Sequence, residues 1–112
     1  SETYGIDLCL DVSHTKLACN FLAKSFSDAI ELLAPLSKHL HLVDAAGTDD
    51  EGLQIDDGEI DWIHLLRQIS RLAPGVSFIP EIWQGHSDNG AGFWKALSLL
   101  ESYCEQLKLR QP

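Results

Sequence analysis

Asp11 closes the run "IDLCLD", His41 lies inside "HLHLVD", and Glu81 follows Pro80 in "FIPEIW". Two carboxylates and an imidazole form a donor set suited to a divalent cation such as Mn2+, Mg2+, Co2+ or Zn2+. His14 stands three residues past Asp11, where the chain leaves its strand-like run, and offers a second polar group to a metal or a substrate. His86, in the glycine-containing stretch "WQGHSDNGAGFW", is a candidate polar contact at the mouth of the same site. Glu81 has no adjacent Lys or Arg. If buried between Pro80 and Ile82, its carboxylate costs free energy unless a metal or hydrogen bonds compensate it.

Taken singly, these residues have plainer roles. A strand-end Asp commonly caps a helix or turn, and a His in an apolar run is commonly a hydrogen-bonded interior residue. His39, two residues deeper than His41, is read in that way. What joins Asp11, His41 and Glu81 is parity. Side chains alternate faces along a strand. Leu8, Leu10 and Val12 therefore oppose Cys9 and Asp11; Leu40 and Leu42 oppose His39 and His41; Phe78, Pro80 and Ile82 oppose Ile79, Glu81 and Trp83. Each run has one apolar face for helices and one face that carries an acid or histidine near its C-terminal end.

The positioning elements follow from the pattern. Strands are expected over 4–12, 38–45 and 76–83. Helices are expected over 27–37, with Ser27 as a candidate cap and Pro35 limiting the end; over 62–73, with Asp61 as the cap; and over 91–107. Strand starts near residues 5, 38 and 76 are 33 and 38 residues apart, the spacing of βα repeats with parallel strands. The segment 44–61 holds eight acids in 18 residues and reads as a solvated loop that Asp44 helps to fasten. A doubly wound sheet wants apolar residues on both faces. A barrel whose interior turns polar at the C-terminal strand ends fits these faces better. The expected fold is therefore α/β: three consecutive βα units with parallel strands, the C-terminal part of a (β/α)8 TIM barrel, as a single partial domain over 1–112.

Composition narrows the function classes. Hydrophobic residues make up 45% and charged residues 22% of the chain, as in globular proteins. The net charge of −9 argues against nucleic acid, whose phosphates need clustered Lys and Arg. No apolar run approaches the roughly 18 residues of a membrane span. Cys9, Cys19 and Cys104 are an odd set without CxxC spacing and read as reduced thiols, which with the lack of a leader pattern gives a cytoplasmic expectation.

Beyond these readings, "LDVSH" (10–14), "HLHLVDAAG" (39–47), "LQIDDGEIDW" (53–62) and "PEIW" (80–83) resemble, in order and spacing, the xylose-isomerase-like barrels. That family includes sugar phosphate isomerases and epimerases and the family-two AP endonucleases. The resemblance implies metal ligation by Asp11, His41 and Glu81, with Glu81 also the acid/base. It implies that His14 contacts substrate or a second metal. A fourth ligand, a glutamate from the preceding strand, has no counterpart, and the usual glycine-rich "GxGD" stretch is "DDGE" here. No histidine lies between His41 and His64 to supply a ligand of the AP-endonuclease type.

The functional expectation is the C-terminal part of a metal-dependent isomerase or epimerase, acting on a sugar or sugar phosphate by proton transfer through an enediolate. His14 and His86 would hold substrate oxygens. The alternative from another class is a non-catalytic assembly or binding module of a larger carbohydrate-pathway protein. A metal-dependent phosphoesterase of AP-endonuclease type is the weaker third reading. Three strands alone leave unpaired edges, so the expected partners are a missing N-terminal barrel segment or a second copy of the chain.

Overall fold

The computed structural model describes residues 8–110. Among them the chain forms strand β1 (Leu8–Asp11), helices α1 (Val12–Leu22) and α2 (Phe26–Leu33), strands β2 (Ser37–Leu42), β3 (Asp44–Ala46) and β4 (Asp50–Leu53), helix α3 (Trp62–Leu72), strand β5 (Ser77–Pro80) and helix α4 (Ser87–Arg110). A 3-10 turn, Ala34–Leu36, links α2 to β2. The sequence-expected strand residues 4–7 lie outside the described residues.

Strands β1, β2 and β5 form a parallel sheet in the order β1-β2-β5, and β3 and β4 form a separate antiparallel pair. This arrangement overturns the expected fold. β2 and β5 are not consecutive, because an antiparallel hairpin stands between them, and the described chain is a small α/β globule with mixed strand pairing. It does not make the last three βα units of a barrel. The physical cause lies in the acidic segment read as a solvated loop. Asp44 pairs with Leu53 and Ala46 with Asp50, although "DEGL" shows none of the apolar alternation that signals a strand.

Asp44 is what makes that segment fold. Its side chain is fully buried, at 0% exposure. Oδ1 accepts from the backbone N–H groups of Ala45 (2.9 Å) and Ile60 (3.1 Å), and Oδ2 from the N–H of Asp56 (3.0 Å) and the indole Nε1–H of Trp62 (2.8 Å). A buried carboxylate is stable only when its lone pairs are satisfied in this way. Four donors from three points of the chain fold 55–62 back over the end of β2, which delivers Ile55, Ile60 and Trp62 to the core.

The core lies on one face of the parallel sheet. Leu10, Leu40 and Leu42 pack there with Ile30 of α2, with Trp62, Leu65, Leu66 and Ile69 of α3, and with Ala96, Leu100 and Leu107 of α4. Helix α3 has the expected apolar stripe and the expected cap, with Asp61 accepting from the N–H of His64 at 3.1 Å. The cap of α2 is Ser25 instead of Ser27. Ser27 is drawn to α3, where its hydroxyl meets His64 Nε2 at 3.0 Å and the Gln68 amide at 3.1 Å. Helix α4 begins with a left-handed run, Asp88, Asn89 and Gly90, before its right-handed turns. The opposite sheet face carries Cys9, Asp11, His39, His41 and Ile79, and that is where the candidate chemistry sits.

Candidate metal centre and its cavity

Asp11 ends β1 and caps α1 with the same carboxylate. Oδ1 accepts from the N–H of His14 at 3.0 Å, and the Asp11 carbonyl accepts from the Thr15 hydroxyl at 2.8 Å. This cap also ends the strand one residue earlier than the alternation suggested, with Val12 already helical. The other oxygen, Oδ2, faces His41 Nδ1 at 3.9 Å and His14 Nδ1 at 3.4 Å. Capping fixes the carboxylate while leaving one oxygen for a ligand.

The parallel register brings the rest of the set together. Asp11 pairs with His41, and His41 with Ile79. Glu81 extends the ladder one step past β5 by donating its N–H to the Leu42 carbonyl at 3.2 Å. Its side chain then returns to the His41 side of the sheet, where Oε2 lies 2.5 Å from His41 Nδ1. One ligating atom from each of Asp11, His41 and Glu81 falls within 4.8 Å of the others. Two donors at about 2.2 Å from one ion can be up to ~4.4 Å apart, so small side-chain rotations bring all three to one cation. The donor set, two carboxylate oxygens and a neutral imidazole nitrogen, suits a hard or borderline divalent ion and leaves coordination positions free for substrate oxygens.

Burial corrects one sequence expectation. Glu81 is exposed, with 56% of its side chain accessible. Pro80 is buried beside it, but β5 is an edge strand among the described residues, so the carboxylate reaches solvent. The cost of a buried acid therefore does not apply to Glu81. Among the described residues Asp44 is the buried acid, and hydrogen bonds satisfy it.

His39 is half-buried, as His41 is, and hydrogen-bonded. Its Nδ1 lies 2.7 Å from the Ser77 hydroxyl, and its ring meets that of His41 edge-on, with centroids 5.3 Å apart. His14 extends outward instead, at 64% exposure, and its Nε2 lies 2.5 Å from Glu51 Oε2 on β4. Carboxylates and imidazoles thus alternate along one line: Glu81, His41, Asp11, His14, Glu51.

This line borders a cavity of about 320 Å³ lined by Asp11, Ser13, His14, Val43, Glu51, Gly52, Glu81, Ile82 and Trp83. His86 is not among these residues. It lies exposed in the turn after β5, on an adjoining cavity of about 380 Å³ with which the first shares Glu81 and Ile82. The structure therefore joins four of the five sequence-derived site residues and sets His86 to one side. Glu51, Ser13 and Trp83 were not among the site residues read from the sequence. Trp83 had a signal, since it shares strand parity with Glu81. Glu51 had none, because a hairpin that the sequence hides carries it in.

No protein-family model, curated protein or solved structure matches the chain. Among the described residues, no helix is long and apolar enough to cross a membrane.

Proposed function

We propose that Asp11, His41 and Glu81 bind a divalent cation, and that this centre serves an isomerase or epimerase acting on a sugar or sugar phosphate. The observation that carries the reading is the convergence of three ligating atoms, one from each of three neighbouring strand ends, within 4.8 Å. The order of "LDVSH", "HLHLVDAAG" and "PEIW", which resembles that of xylose-isomerase-like enzymes, supports the sugar chemistry.

A divalent ion supplies Lewis-acid polarisation of a hydroxy-carbonyl pair. The chain's own residues would do the rest. Asp11 is held by its capping bond at Oδ1, so Oδ2 needs only a small rotation to reach the ion. His41 Nδ1 and Glu81 Oε2, which face each other at 2.5 Å, would give up that contact to ligate the ion. Glu81 Oε1 is left to take a proton from the carbon beside the carbonyl and return it to the neighbouring carbon. His14, fixed by Glu51, would orient a substrate hydroxyl.

Mn2+ titration followed by electron paramagnetic resonance tests the metal. Proton NMR in D2O tests the chemistry, using D-fructose and D-fructose 6-phosphate as probes. Metal-dependent loss of a C–H signal that Glu81→Gln abolishes is the expected result. A chain that binds no Mn2+, or an exchange rate unchanged by Glu81→Gln, would overturn the proposal. A second reading, a binding or assembly module, draws on Phe78 and Ile79, which leave the edge strand β5 with exposed apolar side chains. It predicts no metal-dependent exchange.

A further inference from the structure

Trp83 is 74% exposed. An indole in water forgoes the burial that usually accompanies so large an apolar side chain, and this one lines the cavity beside the candidate metal centre. Its position is built. The Trp83 N–H donates to the Gly52 carbonyl at 2.9 Å, tying the exit of β5 to strand β4. Gly52 has φ +71, and a Cβ there would lie 3.1 Å from the Trp83 Cβ. Only glycine accepts both that backbone conformation and that approach without strain.

A second observation points to a ligand in the same cavity. Ser13 is 1% exposed, and its hydroxyl oxygen is buried without a hydrogen-bond partner. A buried hydroxyl left unsatisfied is costly, and rotation of Ser13 toward the cavity that it lines would let a ligand oxygen remove that cost.

The charge around the cavity selects the ligand. Its lining holds three carboxylates, those of Asp11, Glu51 and Glu81, and neither Lys nor Arg. A divalent cation offsets two of the three charges. The start of α4 offers an anion little, because Asp88 stands there. The Gly90 and Phe93 amides already donate to the carbonyls of His86 and Gly85. A phosphate dianion is thus repelled, and a cationic ligand finds Glu51 engaged by His14. An uncharged polyhydroxy ligand fits. It offers C–H groups to the indole face and hydroxyls to Ser13 and His14. The volume of about 320 Å³ lies at the small end of the ~300–1,000 Å³ typical of ligand cavities.

We propose that Trp83 is the stacking platform for an unphosphorylated sugar, with Ser13 as a hydrogen-bonding partner, so that the site discriminates against sugar phosphates. The proposal rests on the sugar chemistry proposed above and narrows its substrate class.

The test is calorimetry of the Mn2+-loaded chain with D-fructose, D-xylose, D-fructose 6-phosphate and choline. The chains compared are the parent, Trp83→Ala and Trp83→Phe. At least one neutral sugar should bind, and D-fructose 6-phosphate should bind about tenfold more weakly than D-fructose. Trp83→Ala should weaken the neutral sugar about tenfold, while Trp83→Phe, which keeps an aromatic face, stays near the parent. Equal or tighter binding of the phosphate ester overturns the proposal. So does an unchanged affinity in Trp83→Ala, binding of choline in place of sugar, or no binding of either neutral sugar. Mn2+ resonance on the same samples separates the failures. If Mn2+ stays bound while the sugar arm fails, only the substrate assignment falls; if Mn2+ does not bind, the metal reading falls first.

Discussion

His41 Nδ1 and Glu81 Oε2 approach to 2.5 Å across the neighbouring strand ends of β2 and β5. The contact couples two candidate ligands, one half-buried and one exposed, and neither belongs to the hydrophobic core. Function and stability should therefore separate at this pair. Glu81→Gln and His41→Ala are expected to weaken Mn2+ binding by more than about tenfold, since even partners of metal ligands commonly cost 10–100-fold. Both should keep a melting temperature close to that of the parent chain. Mn2+ titration beside thermal unfolding checks this, and a large drop in melting temperature would assign the pair to folding instead.

Asp44 should behave in the opposite way. Asp44→Asn replaces one accepting oxygen by an NH2 that faces donors, while the N–H groups of Ala45, Ile60 and Trp62 stay buried and that of Asp56 half-buried. Hydrogen bonds to a charged acceptor contribute about 1.5–3 kcal/mol each. The substitution is expected to cost about 3 kcal/mol or more, enough to lower the melting temperature of a domain this size by over ~10 °C. Urea unfolding reads the loss directly. A cost below about 1 kcal/mol would mean that the carboxylate does not organise 55–62.

Gly58 belongs to the same cage for a different reason. A Cβ on this residue would fall 2.4 Å from both the Ala45 carbonyl oxygen and Asp44 Oδ1. Neither atom is the loose end of a flexible side chain, so backbone must move. Gly58→Ala is expected to cost about 1–3 kcal/mol, the usual range for overpacking. It should also broaden the Trp62 indole NH signal in NMR, because Asp44 Oδ2 holds that group. An unchanged indole resonance would argue that the cage tolerates the displacement.

The contrast between α3 and the β3–β4 hairpin explains what could be read from residues alone. Trp62, Leu65, Leu66 and Ile69 repeat at helical spacing after a capping Asp61, so local sequence and tertiary packing agree. Leu40 and Leu42 likewise alternate with His39 and His41, and that alternation was enough to put Asp11, His41 and Glu81 on one side. The hairpin has no such pattern. "DEGL" is polar, and its strand state is imposed from a distance by bonds into Asp44 and by the Trp83–Gly52 contact. The barrel expectation failed at this point, since parity describes faces and is silent about what pairs between two strands. Glu51 was hidden by the same gap. Ser25 and Ser27 show a smaller version: both can cap α2, and contacts of Ser27 with α3 decide between them.

Tyr103 gives the pH prediction. Its hydroxyl donates to Asp56 Oδ1 at 2.5 Å, which ties α4 to the segment that wraps Asp44. This bond to a carboxylate, followed by partial burial and the negative charges of Asp56, Asp44 and Asp61, pushes the phenol up to about 12 from its ordinary 10.0. The folded state thus holds the proton more tightly than the unfolded chain. The stabilisation is fully present below about pH 10 and is lost as pH rises through about 12. Tyr103→Phe removes both the bond and its titration. The difference in unfolding free energy between the two chains should stay constant from neutral pH to about 10 and shrink between about 10 and 12. Paired urea titrations across that range isolate the effect from Lys titration, which both chains share. A difference that does not shrink over this interval would show that the Tyr103–Asp56 bond does not stabilise the fold.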